Sequence, residues 1–136
     1  LDFADDRGHA GVVRLTLAPA PAPASYLASL IIPGTGVVVV RDDDVPAPRE
    51  GSLEIRADAL WAEMICETPG EHWSFGLEAF GLRFDTAEEA AVSDVGDRVA
   101  VGLDLEWETP DRVVGDLLLA SLTIPVTARG TFTTPD

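Results

Sequence analysis

The chain has 136 residues, 46 % of them hydrophobic; nine Arg, no Lys and 24 Asp and Glu leave a formal net charge of −15. Its length suits one domain whose core needs no metal or disulfide staple, and its apolar fraction excludes a disordered chain. The negative charge repels nucleic-acid phosphates and anionic lipid heads, which excludes nucleic acid and polybasic membrane docking, and the lack of Lys excludes Schiff-base chemistry and a P-loop.

The elements follow from alternation and turn chemistry. Val12–Leu17 alternates apolar and polar residues and predicts a half-buried strand. The Ala/Pro stretch 18–25 follows, where Pro19, Pro21 and Pro23 remove backbone donors and favour extended geometry, as in a linker or long loop. Tyr26–Ile32 and Val37–Arg41 flank Pro33-Gly34-Thr35-Gly36, the signature of a hairpin. Asp42-Asp43-Asp44 and Pro46-Ala47-Pro48 read as a polar connection, and Leu53–Ala57 as a short strand.

Leu60–Glu67 and His72–Phe84 flank Thr68-Pro69-Gly70-Glu71, where Pro at the second place and Gly at the third predict a type II turn. Thr86-Ala87-Glu88-Glu89 has capping-box spacing and predicts a helix of two or three turns. Val99–Trp107 alternates cleanly, and Val113–Ala120 and Leu122–Phe132 complete the strands, with Pro125 marking the last as an edge or bulged strand. The sum is one all-β domain over residues 1–136, an antiparallel barrel or β-sandwich of about eight strands with one short helix.

The longest apolar runs, Leu30–Ile32, Val37–Val40 and Leu117–Ala120, fall far short of the roughly 18 residues of a membrane helix. Asp2, Asp5 and Asp6 stand where a signal peptide would be basic, so none is expected. The lone Cys66, between apolar neighbours and flanked by Glu63 and Glu67, reads as a buried small hydrophobe rather than a reactive thiol. A single Cys also points to a cytoplasmic location.

One constellation suggests chemistry. In His72–Phe84, Trp73, Phe75, Leu77 and Ala79 share one face and Glu78 and Phe80 the other. If a barrel closes on the second face, Trp61, Glu63, Glu78, Phe80, Asp104 and Glu106 line its lumen. Carboxylates crowded in an apolar pocket gain proton affinity and serve as general acids. The simpler alternative is that these residues form a solvated outer face. His9 reads as part of a frayed end and His72 as a surface residue. Two His and one Cys give no zinc spacing. Asp42–Asp44 lacks the Gly and terminal Glu of an EF-hand loop. No Gly-x-Ser-x-Gly or Gly-x-Gly-x-x-Gly occurs, so neither a metal nor a cofactor is expected.

The stretch Glu67-x-x-x-Glu71-His72-Trp73-x-x-Gly76-Leu77-Glu78-Ala79-Phe80-Gly81, within Leu60–Asp85, and the Leu105-Glu106-Trp107-Glu108 ending of Gly96–Glu108 carry a resemblance. They resemble parts of an uncharacterised, largely actinobacterial protein family, itself distantly similar to carotenoid hydratase and AttH-like proteins. The resemblance covers roughly residues 50–110 and implies a lipocalin-like barrel. The chain is about half the length of a two-barrel protein of that kind, so no catalytic residue is carried over.

Three functions follow as expectations. The first is a barrel that binds a small apolar ligand, with Trp61, Glu63, Glu78 and Phe80 as contacts. The second is a hydratase or isomerase in which Glu78 donates a proton beside Asp104 or Glu106. The third is a non-catalytic interaction domain. Half-length also suggests a homodimer, with Val37–Val40 or Leu122–Ile124 as an unpaired strand edge. An apolar cavity would favour the first function, two carboxylates within hydrogen-bond reach the second, and a filled interior with a large apolar surface patch the third.

Overall fold

A computed structural model describes residues 1–19, 21–108 and 127–133. The elements are β1 (Asp2–Ala4), β2 (Ala10–Thr16), β3 (Ala24–Ile32), β4 (Gly36–Val45), β5 (Glu54–Ala57), β6 (Leu60–Thr68), β7 (His72–Phe84), α1 (Ala87–Val92), β8 (Asp97–Glu108) and β9 (Thr127–Thr133).

Local chemistry accounts for the turns. Gly70 has φ 75° and the Glu71 N–H donates to the Thr68 carbonyl at 3.0 Å, so Pro69-Gly70 makes the expected turn between β6 and β7. Thr86 caps α1 by accepting from the Glu89 N–H at 3.2 Å. The Glu89 carboxylate reaches back to the Asp85 N–H, also at 3.2 Å, one residue beyond the usual box. The helix has only 6 residues, shorter than expected, because Ser93 already adopts extended backbone.

All described pairings are antiparallel, and they form two meanders. Strands β1, β2, β3 and β4 pair in sequence, as do β5, β6, β7, β8 and β9. The joint between them is short. One edge of β7 pairs with β6 along residues 72–79 and then, near its end, with β4 through Val37↔Phe84, Val38↔Arg83 and Val39↔Leu82. From this fork the two arms curl into a half-barrel around one core. The fold is therefore all-β and barrel-like, with one short helix, as the alternation predicts.

Each arm contributes its inward face to that core. Val13, Leu30, Val38 and Val40 come from one, and Ile55, Leu60, Phe75, Leu77, Leu103 and Leu105 from the other. Each such side chain contributes roughly 1.5–3 kcal/mol on burial. Trp73 and Trp107 extend the inward face of β7 and β8 by one rung and stack with centroids 6.1 Å apart and planes 6° from parallel.

Several expectations need correction. The N-terminal segment is not frayed: β1 pairs with β2, and His9 Nδ1 lies 2.8 Å from Asp5 Oδ2 in the turn between them. Asp42–Asp44 is not a connection but the end of β4, where Arg41 Nε donates to Asp43 Oδ2 at 2.8 Å and offsets the charge run. Residues 17–19 and 21–23 belong to the connection between β2 and β3, and Ala24 and Ser25 already to β3. Val37–Val40 is no free edge, since β4 pairs with β3 on one side and with β7 on the other. Cys66 is exposed, not buried, because it lies in the last four residues of β6, 65–68, which run beyond the buried core. Val113–Ala120, Leu122–Ile124 and Pro125 lie outside the described residues.

Candidate functional site

The free ends of the two arms approach each other on the side away from the β4–β7 joint. A cleft of about 420 Å³ lies between them. Val13, Leu15 and Leu17 line it from the β2 side, Leu53 and Ile55 from the β5 side, and Ala62, Met64 and Phe75 from β6 and β7. Most of these are inward positions of alternating strands, and Leu17 and Leu53, which flank β2 and β5, are exposed leucines at its mouth, so the walls are mainly apolar. Arg14 and Glu63, which belong to the outward faces of β2 and β6, mark its rim.

Tyr26 of β3 also lines this cleft and is only 2 % exposed. Its hydroxyl is buried and has no hydrogen-bond partner among the described residues. Burial pushes its pKa well above the ordinary tyrosine value, so the phenol stays protonated and remains a donor. Its inward neighbours on the same strand are Ala24 and Ala28, both fully buried. A ring with a polar tip is thus set between two small side chains. The buried Nε2 of His72 also lacks a partner among the described residues, but His72 lines none of the clefts described here.

Apart from Glu63 at the rim, the residues singled out by sequence lie elsewhere. Trp61, Glu63, Glu78, Phe80, Asp104 and Glu106 all belong to the outward face of β6, β7 and β8, not to a lumen. The reason is phase: Leu60 and Ala62 of β6, Phe75, Leu77 and Ala79 of β7, and Leu103 and Leu105 of β8 take the inside, which turns every alternate residue outward. Phe80 is 52 % exposed, with the Arg98 guanidinium 4.4 Å from its ring centroid. Glu78 faces solvent between Trp61 and Gly102, while Asp104 and Glu106 sit opposite Gly76 and Ser74. No hydrogen bond links Glu78 to Asp104 or Glu106 among the described residues.

Trp61 is nonetheless held firmly on that outer face. Its ring covers Gly76, where a Cβ would come within 2.9 Å of two ring carbons. Its Nε1–H donates to Glu54 Oε1 at 3.2 Å, and Arg56 Nε donates to the same oxygen at 2.7 Å. The Arg56 hydrogen bond, aided by that from Trp61, holds the Glu54 carboxyl below the usual glutamate range. Trp61, Glu78 and Phe80 border an open depression of about 830 Å³, and a further groove of about 770 Å³ runs between α1 and the outer face near Phe80 and Arg98. Both are larger than the cleft between the arms, but among the described residues neither contains a buried unpartnered polar group.

No protein-family model, curated protein or solved structure matches this chain. Function therefore rests on geometry. The cleft residues carried one sequence signal: the chain's single Tyr, placed on the inward phase of β3 between alanines. No described helix is long and apolar enough to cross a membrane.

Proposed function

We propose that this domain binds a small, largely apolar ligand in the cleft between β2 and β5. The observation that carries the reading is the cleft itself: about 420 Å³, with mainly apolar walls, where two arms of one sheet meet. Ligand sites of roughly 300–1,000 Å³ with apolar walls and a few placed polar groups are the usual form of small-molecule pockets. The contacts differ from those expected from sequence: Leu15, Tyr26, Ile55, Met64 and Phe75 replace Trp61, Glu63, Glu78 and Phe80 as the principal ligand-facing set, with Glu63 retained at the rim. Binding is favoured over hydratase or isomerase chemistry because Glu78, Asp104 and Glu106 face solvent and make no mutual hydrogen bond.

The test is titration with a neutral apolar fluorophore such as N-phenyl-1-naphthylamine. Saturable one-to-one binding with a blue shift is expected. Leu15→Glu, at a half-buried wall position, should abolish it while circular dichroism shows an intact sheet. Phe80→Ala, on the outer face, should leave it unchanged. Binding that survives Leu15→Glu in a folded protein, or is lost with Phe80→Ala, would move the site elsewhere.

A further inference from the structure

The Tyr26 hydroxyl specifies more than an apolar ligand. Burial favours its protonated, donating form, it is shielded from solvent, and nothing among the described residues satisfies it. A buried donor without an acceptor is unfavourable, and sites that keep one gain selectivity for a ligand that supplies the missing partner. Resting on the reading of the cleft as a ligand site, we infer that its ligand carries a neutral oxygen acceptor, a carbonyl in an otherwise apolar skeleton, and that Tyr26 donates to it.

Neutrality follows from what surrounds the hydroxyl. The buried residues that line the cleft with Tyr26, Val13, Ile55, Ala62 and Phe75, are apolar. The nearest cationic side chain lining the cleft, Arg14, belongs to the solvent-facing side of β2. A carboxylate drawn down to Tyr26 would be buried with one hydrogen bond and no inward-facing cationic side chain among the described lining residues, which is unfavourable. A carbonyl oxygen needs no countercharge. Because Tyr26 is already desolvated, forming the bond loses little solvation on the protein side.

Three probes of one shape separate the possibilities: 2-acetylnaphthalene, 2-ethylnaphthalene and 2-naphthoate, each measured against the wild type and Tyr26→Phe by titration calorimetry. Phenylalanine keeps the ring and removes only the donor. The expected result is that Tyr26→Phe weakens the ketone about tenfold, the upper range of one net hydrogen bond, and leaves the hydrocarbon unchanged. Naphthoate should bind the wild type more weakly than the ketone. Equal effects of Tyr26→Phe on ketone and hydrocarbon would overturn the inference while leaving the cleft as an apolar site. Tighter binding of naphthoate than of ketone would overturn the neutral-acceptor assignment. Failure of all three probes to saturate the wild type would remove the cleft reading itself, and this inference with it.

Discussion

The joint between the two meanders makes a sharp prediction about two glycines in one turn. Gly34 and Gly36 both have positive φ, 77° and 98°. A Cβ on Gly34 would meet nothing within 4 Å. A Cβ on Gly36 would overlap the carbonyl oxygen of Phe84, a backbone atom beside the Val37↔Phe84 rung that joins β4 to β7. Gly34→Ala should therefore cost only the left-handed backbone term, about 1–2 kcal/mol. Gly36→Ala carries that term plus overpacking of about 1–3 kcal/mol, a total of about 2–5 kcal/mol, because the carbonyl yields only if the joint opens. Urea unfolding followed by tryptophan fluorescence, with linear extrapolation to water, measures both. Equal losses for the two variants would refute the steric argument and show that the β4–β7 contact has room to spare.

Face assignment is tested by Phe75→Ala, which should destabilise by about 3–5 kcal/mol, against Phe80→Ala, which should cost less than about 1 kcal/mol, since only an exposed contact with Arg98 is lost; comparable values in the same unfolding assay would reverse the sheet. Cys66 should react stoichiometrically with Ellman's reagent in the folded protein, and a requirement for denaturant would mean that it is buried after all. Glu54, whose pKa is lowered by Arg56 and then by Trp61, contributes stability that is present above the ordinary glutamate value and disappears as pH falls through its lower folded value; carbon-detected NMR titration should place Glu54 below the ordinary glutamate value and move it upward in Trp61→Phe. Between neutral pH and about pH 5 that contribution is intact, while partial protonation relieves the repulsion of a −15 chain. The melting temperature should therefore rise over this window, and a monotonic fall would show that paired carboxylates outweigh repulsion.

Much of the fold was legible because its signals are local. The Thr68–Glu71 turn, the alternation of β8 and the Thr86 cap each involve a few neighbouring residues, and each forms as read. The inward phase of β7 was legible too, since Phe75, Leu77 and Ala79 outweigh their alternates in apolar surface. The site was not. Alternation says which residues share a face, but not whether that face lines a lumen or meets solvent; Trp61, Glu78 and Asp104 looked like a pocket only under a barrel closed the other way. The cleft joins Leu15 to Ile55, residues 40 apart with no strand pairing between them among the described residues, and no periodicity reports such an approach. Asp42–Asp44 was misjudged for a similar reason: three acids read as a loop unless Arg41 is known to lie beside Asp43.

The fork at β7 also bears on how the chain assembles. Within each meander every pairing links consecutive strands, so both halves can zip from contacts close in sequence, which is the fast route. The three rungs between β4 and β7 span more than 40 residues and must await the loop closure that brings the halves together. A nick in the 46–53 connection would cut no strand described here and would turn that closure into a bimolecular encounter. Two separately produced fragments should then reconstitute the tryptophan emission of the intact chain at a rate proportional to their concentration, giving the domain the properties of a complementation reporter.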